Sequence, residues 1–241
     1  MRQRLRRAGS RVASAVLSAL YPSTCPVCKK PTDNIPYAPI CTRCWNGIKG
    51  YTGPSCRICA VPLSSPYAGT CGDCYSHKPA FSATLCFGLY ADTLREAISL
   101  LKFSGLKRLA GPLGNLMAGT DIPRTDGIVP VPLSKEALLQ RGFNQTLLLA
   151  RALSRHRKVP VYPNVLRKKR HTRPQIGLGA RERSSNLRNA FQVVGPVAKK
   201  RLILLDDVMT TGATVRECSK MLVRAGAKEV VVVTLARSPL D

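Results

Sequence analysis

Two hydrophobic rhythms alternate along the second half of this chain. Residues 202–205 and 229–235 are apolar runs with almost no polar alternation, which predicts parallel strands buried on both faces. Thr84-Leu-Cys-Phe-Gly-Leu-Tyr90 and Gly127-Ile-Val-Pro-Val-Pro132 read as two more strands. The prolines of the second confine its hydrogen bonding to one side or place it at a strand end. Between these runs the apolar spacing turns helical. Leu94, Ala97, Ile98 and Leu101 make one stripe, begun by Asp92 or by a Thr93/Glu96 capping box and closed by Lys102-Phe-Ser-Gly105. Leu106, Leu109, Leu113 and Leu116 make another, which Gly111 and Pro112 must kink or split. Leu147, Leu148, Ala150 and Leu153 mark a third helix, and Val215, Cys218, Leu222 and Ala225 a fourth, with Gly226 at the C′ position. The pattern is that of an α/β domain, a parallel sheet flanked by helices, over residues 80–241.

Residues 25–79 follow a different logic. Four Cys-x-x-Cys knuckles stand there: Cys25/Cys28, Cys41/Cys44, Cys56/Cys59 and Cys71/Cys74. Twelve residues separate the first two and eleven the last two, which is zinc-ribbon spacing. Two tetrahedral structural Zn²⁺ sites would use all eight thiolates. Disulfides are the competing use and require an oxidising compartment. Sequential pairing of knuckles is expected, with a cross-brace left open by the spacing. Cys86 and Cys218 read as small buried hydrophobes.

Residues 1–24 carry Arg2, Arg4, Arg6, Arg7 and Arg11 ahead of Val12, Val16, Leu17 and Leu20. A basic amphipathic helix, a helix packed on the body of the protein, and a short secretory signal all fit that pattern. The whole chain holds 38 Lys and Arg against 13 Asp and Glu, a net charge of +25. So one-sided a balance speaks of polyanionic partners and not of fold. No apolar run approaches the ~20 residues that span a bilayer. Between Arg167 and Arg188 eight basic residues face one acid, without helical or strand periodicity. Such a basic loop is a candidate for function, with Arg167, Lys168, Lys169 and Arg170 the candidate nucleic-acid contacts. Trp45, Tyr51 and Tyr67 are aromatics of the cysteine region that could stack bases.

The densest chemistry lies at residues 201–218. An apolar strand is closed by Asp206 and Asp207; a turn over residues 208–213 follows, rich in hydroxyls, and then the helix. Backbone N–H groups at that helix start, with Thr210, Thr211 and Thr214, make a phosphate cradle. The paired carboxylates beside it can accept hydrogen bonds from two vicinal sugar hydroxyls. An acidic cap on an ordinary strand-to-helix turn is the plainer alternative.

This stretch resembles the phosphoribosyl pyrophosphate (PRPP) signature of type I phosphoribosyltransferases, on Asp206, Asp207, Met209, Thr210, Thr211, Gly212, Ala213 and Thr214. The resemblance implies that fold, PRPP bound with Mg²⁺, a pyrophosphate contact after the first core strand, and a mobile basic hood. Arg141 and Lys135 are the residues that could make the pyrophosphate contact, although Lys135 also fits a solvated helix face.

The four knuckles, Leu-Leu-Lys-Phe-Ser-Gly, Val129-Pro-Val-Pro-Leu133, Arg141-Gly-Phe-Asn-Gln145, Thr172-x-x-Gln175 and Leu205-Asp-Asp-Val-Met-Thr-Thr-Gly212 occur in one order. In that order they resemble the ComF family. Cytoplasmic handling of single-stranded DNA during natural transformation, with partner proteins of the uptake machinery, is what that resemblance implies. The alternative is transfer of ribose 5-phosphate from PRPP to an acceptor. No residue of the signature is an obvious general base.

Overall fold

The computed structural model describes residues 24–32, 37–169, 187 and 189–239. The N-terminal basic segment, Arg170 and most of the basic loop after it lie outside the described residues.

Two short helices belong to the cysteine region, α1 (Thr42–Asn46) and α2 (Gly72–Ser76). The α/β part then runs β1 (Ala83–Leu89), α3 (Asp92–Phe103), α4 (Ala110–Ala118), β2 (Gly127–Pro130), α5 (Lys135–Arg141) and α6 (Gln145–Arg157). It continues with β3 (Leu166–Lys168), β4 (Phe191–Val193), β5 (Arg201–Met209), α7 (Ala213–Arg224) and β6 (Glu229–Arg237). β1, β6, β5 and β2 form one parallel sheet in that order, while β3 and β4 pair antiparallel in a small second sheet. β5 and β6 are central and buried on both faces, as their unbroken apolar runs require.

The sheet divides the core. Ile203, Leu205, Val233 and Leu235 pack with α3, α4 and α6 on one face. Leu202, Leu204, Val230 and Val232 pack with α7 and with β3 and β4 on the other. The cysteine region divides with it. Cys25, Ile40, Cys41 and Trp45 join the first cluster, whereas Cys56, Cys59, Val61 and Cys74 join the second.

Several local expectations need correcting. β5 is not closed by the aspartates but carries both and runs on to Met209, held by β6 through the register Asp206↔Thr234 and Met209↔Arg237. Pro112 does not kink a helix. A 3₁₀ turn at Lys107–Leu109 leads into α4, whose first turn holds Gly111 and Pro112, where a missing N–H costs nothing. α3 is preceded by Ala91 with no side-chain cap, so the Thr93/Glu96 box does not start it. Arg167 and Lys168 lie in strand β3, not in an aperiodic loop. By contrast, Gly226 (φ +93°) does follow α7 as the C′ residue, with Ala227 N–H donating to Leu222 O at 3.1 Å.

Candidate functional site: paired carboxylates, a threonine turn and two cysteine clusters

The end of β5 delivers Asp206 and Asp207 to the C-terminal edge of the sheet, where strands of open α/β sheets bind ligands. The two carboxylates are not equivalent. Asp207 is buried, with Oδ1 2.9 Å from Lys102 Nζ and accepting the Val208 N–H at 2.7 Å. Its Oδ2 is buried with no hydrogen-bond partner among the described residues. Asp206 is half-buried, and its Oδ1 accepts the Asp207 N–H at 2.9 Å. Burial, and then the Asp207 charge, push the Asp206 carboxyl up to about 7 against the opposing pull of Lys102. For Lys102, burial alone would lower the ammonium, but the Asp207 carboxylate outweighs it and holds it raised.

After Met209 the chain turns through Thr210, Thr211 and Gly212 into α7. Gly212 precedes the helix at φ +79°, a left-handed conformation, and a β-carbon there would collide with the Met209 methyl. The methyl can swing aside, so it is the left-handed backbone that any other residue would strain. Thr211 Oγ1 accepts the Ala213 N–H at 3.4 Å; Thr211, Ala213 and Thr214 are half-buried and Thr210 is exposed. The first N–H groups of α7 face this turn with the positive end of the helix dipole behind them.

Motifs far apart in sequence meet here. The α3 end contributes Lys102 and the exposed ring of Phe103; the guanidinium of Arg141, at the end of α5, sits 5.4 Å from the Phe103 ring centre. Arg141 Nη1 donates to the buried Gln145 Oε1 at 2.5 Å, and burial lowers its pKa while the Asp207 charge opposes that. Asn144 caps α6 and ties the loop after β2 to it, with Asn144 Nδ2 and Thr146 Oγ1 both donating to Val131 O at 3.3 and 2.7 Å. Arg141 is thereby held where the charge of Asp207 bears on it. Lys135 is not: it is exposed in the first turn of α5, and no contact to either aspartate occurs among the described residues. Lys102 was missed as a site residue, although the Leu-Leu-Lys-Phe-Ser-Gly motif contains it.

The basic candidates also separate. Arg167 and Lys169 are exposed; Lys168 is half-buried near Cys218 and Glu136, and burial lowers its pKa. Trp45 is buried and stacked on Tyr37 with ring centres 4.5 Å apart, so it presents no free face to a base. Tyr51 is half-buried with its hydroxyl donating to Pro54 O at 3.1 Å, while Tyr67 and the unanticipated Tyr75 are 95% and 86% exposed. A cavity of about 210 Å³ lies between the cysteine region and β1, lined by Tyr51, Ser55, Thr84, Cys86 and Arg237, and does not include the carboxylates.

The eight knuckle cysteines form two clusters, Cys25/Cys28/Cys41/Cys44 and Cys56/Cys59/Cys71/Cys74, with all Sγ atoms of a cluster within 4.8 Å of one another. The grouping is sequential, not a cross-brace. Cys28 and Cys41 Sγ are 3.6 Å apart, as are Cys59 and Cys71 Sγ. Those spacings are far beyond a disulfide and close to the ~3.8 Å edge of a tetrahedron built on ~2.3 Å Zn–S bonds. Cys41 N–H donates to Cys25 Sγ at 3.4 Å and Cys71 N–H to Cys56 Sγ at 3.3 Å. Burial alone would raise the Cys25 thiol, but the N–H groups of Cys28, Cys41 and Val27 outweigh it and bring it to about 6. The donor set therefore fits a structural Zn²⁺ in each cluster.

A family model described as a double zinc ribbon domain matches residues 16–75. The chain is 35% identical over 212 residues to "Competence protein F" of Haemophilus influenzae, covering 83% of this chain and 90% of that one. It is 35% identical over 193 residues to "DNA utilization protein YhgH" of Escherichia coli, covering 76% and 84% respectively. Among solved structures, the glutamine phosphoribosylpyrophosphate amidotransferase of B. subtilis superposes with a TM-score of 0.38 at 26% identity, over 52% of this chain and 25% of that one. With a relative that similar matched over nine-tenths of its length, the chain belongs to the ComF family of competence proteins.

Proposed function

We propose that the turn after β5 binds PRPP together with Mg²⁺, and that the protein handles single-stranded DNA in natural transformation. The observation that carries the ligand half is Asp207 Oδ2, a buried carboxylate oxygen without a partner among the described residues, beside a half-buried second carboxylate. Buried acceptors are normally satisfied, and a ribose hydroxyl is the donor this one lacks. The 5-phosphate takes the N–H groups at the start of α7 and the hydroxyls of Thr210, Thr211 and Thr214. Lys102 and Arg141 supply the positive charge that pyrophosphate needs. Relatives named for competence and DNA utilization, and the +25 charge of the chain, support the DNA half.

Lys102 and Arg141 also favour a second reading, an active phosphoribosyltransferase, because both stand where a leaving pyrophosphate would be neutralised. Calorimetry with PRPP tests the binding step shared by both. Asp206→Asn combined with Asp207→Asn should abolish the heat of binding while the melting transition stays cooperative. Undiminished affinity in that double variant would remove the sugar-binding role. Pyrophosphate release with candidate acceptors separates the two readings.

A further inference from the structure

We infer that Arg237 positions the threonine turn, and that the second cysteine cluster is the anchor it works from. The inference deepens the PRPP reading and rests on it for the identity of the ligand.

Arg237 ends β6, directly opposite Met209 in the register of β5. Its side chain is 2% exposed and meets no carboxylate among the described residues. Instead, backbone carbonyls surround the guanidinium. Nη1 donates to Met209 O and Ser238 O at 2.9 Å each and also to Thr210 O, while Nε donates to Cys59 O at 3.0 Å. A buried guanidinium without a counter-ion is costly, and its planar fork rewards a fixed arrangement of acceptors. Here the acceptors are the first carbonyls of the phosphate turn and the carbonyl of a metal-ligand residue.

The other end of the turn is tied to the same cluster. Arg216, in the first turn of α7, donates from Nη1 to His77 O at 2.6 Å and from Nη2 to Asp73 Oδ2 and Cys74 Sγ at 2.7 and 3.3 Å. Cys59 therefore holds the upstream end through Arg237, and Cys74 the downstream end through Arg216. Among the described residues the first cluster makes no such link. It packs on the opposite face of the sheet, and Ala38 O in its ribbon accepts from Arg108 at 3.1 and 2.7 Å, ahead of α4. Metal at the second cluster thus sets the shape of the turn; metal at the first does not.

Two matched variants of the full-length protein test this. Cys71→Ser and Cys28→Ser each remove one half-buried ligand that touches neither arginine, and each should lower zinc from two ions per chain to one by mass spectrometry. Hydrogen–deuterium exchange of the 208–216 peptide is the first readout and needs no ligand. We expect Cys71→Ser to speed that exchange at least about tenfold, the equivalent of one lost hydrogen bond to a charged group, and Cys28→Ser to leave it unchanged. Arg237→Lys keeps the charge but not the fork. It should speed the same peptide and weaken PRPP binding by about tenfold or more with both zinc ions retained and exchange in β1 unchanged. Equal effects of the two cysteine variants, or no effect of Cys71→Ser, would overturn the inference. A wild-type protein that binds no PRPP would instead sink the ligand reading, with the exchange experiment still deciding the coupling.

Discussion

Lys102 Nζ and Asp207 Oδ1 lie 2.9 Å apart with side-chain exposures of 16% and 4%, a nearly buried ion pair within the candidate site. Removing one partner of such a pair leaves an uncompensated charge. Lys102→Met should therefore cost about 3 kcal/mol in chemical denaturation. Replacing both partners, as Lys102→Met with Asp207→Leu, should recover most of that loss and still bind no PRPP. A single variant as stable as the wild type would show that the pair is not formed in solution.

The aspartate pair, the threonine turn and the eight cysteines were legible as candidates because each pattern is local in sequence. Lys102 was not. Its role depends on α3 packing so that its last turn reaches β5, which no spacing within residues 92–105 reveals. Arg237 carries no sequence signal of its own, and its burial shows only in the register with Met209. Trp45 was misjudged for a related reason. In a five-residue helix such as α1 the apolar stripe is too short to declare a face, and the first cysteine cluster decides it. β3 was hidden by charge, since Leu166 is the only buried one of its three residues.

Asp206 gives a pH dependence of definite sign. Its carboxyl is raised from 3.8 to about 7, so the folded protein keeps a proton that the unfolded chain releases at lower pH. Stability from this group is present in acid and is lost as pH rises toward about 7, above which it stays flat. Asp206→Asn, neutral throughout, should lack that decline. The melting temperature of the wild type should therefore fall relative to that of the variant from about pH 4 to 7 and run parallel to it above. Curves parallel over the whole range would mean that Asp206 is ionised like a surface carboxylate.

Trp45 is the only tryptophan of the chain, and it is buried against Tyr37 inside the first ribbon. Its fluorescence is therefore a reporter for one metal site and not the other. Cys28→Ser should shift the emission to the red as the ring meets water, because thiolate ligation supplies folding free energy to a ribbon with few apolar residues. Cys71→Ser should leave the emission in place at the same zinc content. Identical spectra for the two variants would mean that the ribbons do not fold as separate metal-bound units.

DNA binding should be mostly electrostatic, and the exposed residues say where to test it. Arg167 and Lys169 face solvent, whereas Lys168 is half-buried, so a charge-reversal experiment belongs on the first two. For a single-stranded oligonucleotide the logarithm of affinity should fall with the logarithm of salt at about −0.7 per phosphate neutralised. Arg167→Glu with Lys169→Glu should flatten that slope. Stacking is a separate contribution. Tyr67 and Tyr75, 95% and 86% exposed, are aromatic faces of the second ribbon available to bases. Changing either to alanine should cost about 1–3 kcal/mol without altering the slope, because a ring stacks on a base and releases no counterions. Trp45, already stacked on Tyr37, has no such face to lose. Fluorescence anisotropy over a salt series separates the two contributions. A slope unchanged by the charge reversals would take DNA off the β3 edge, and affinities unchanged by both tyrosine variants would take it off the second ribbon.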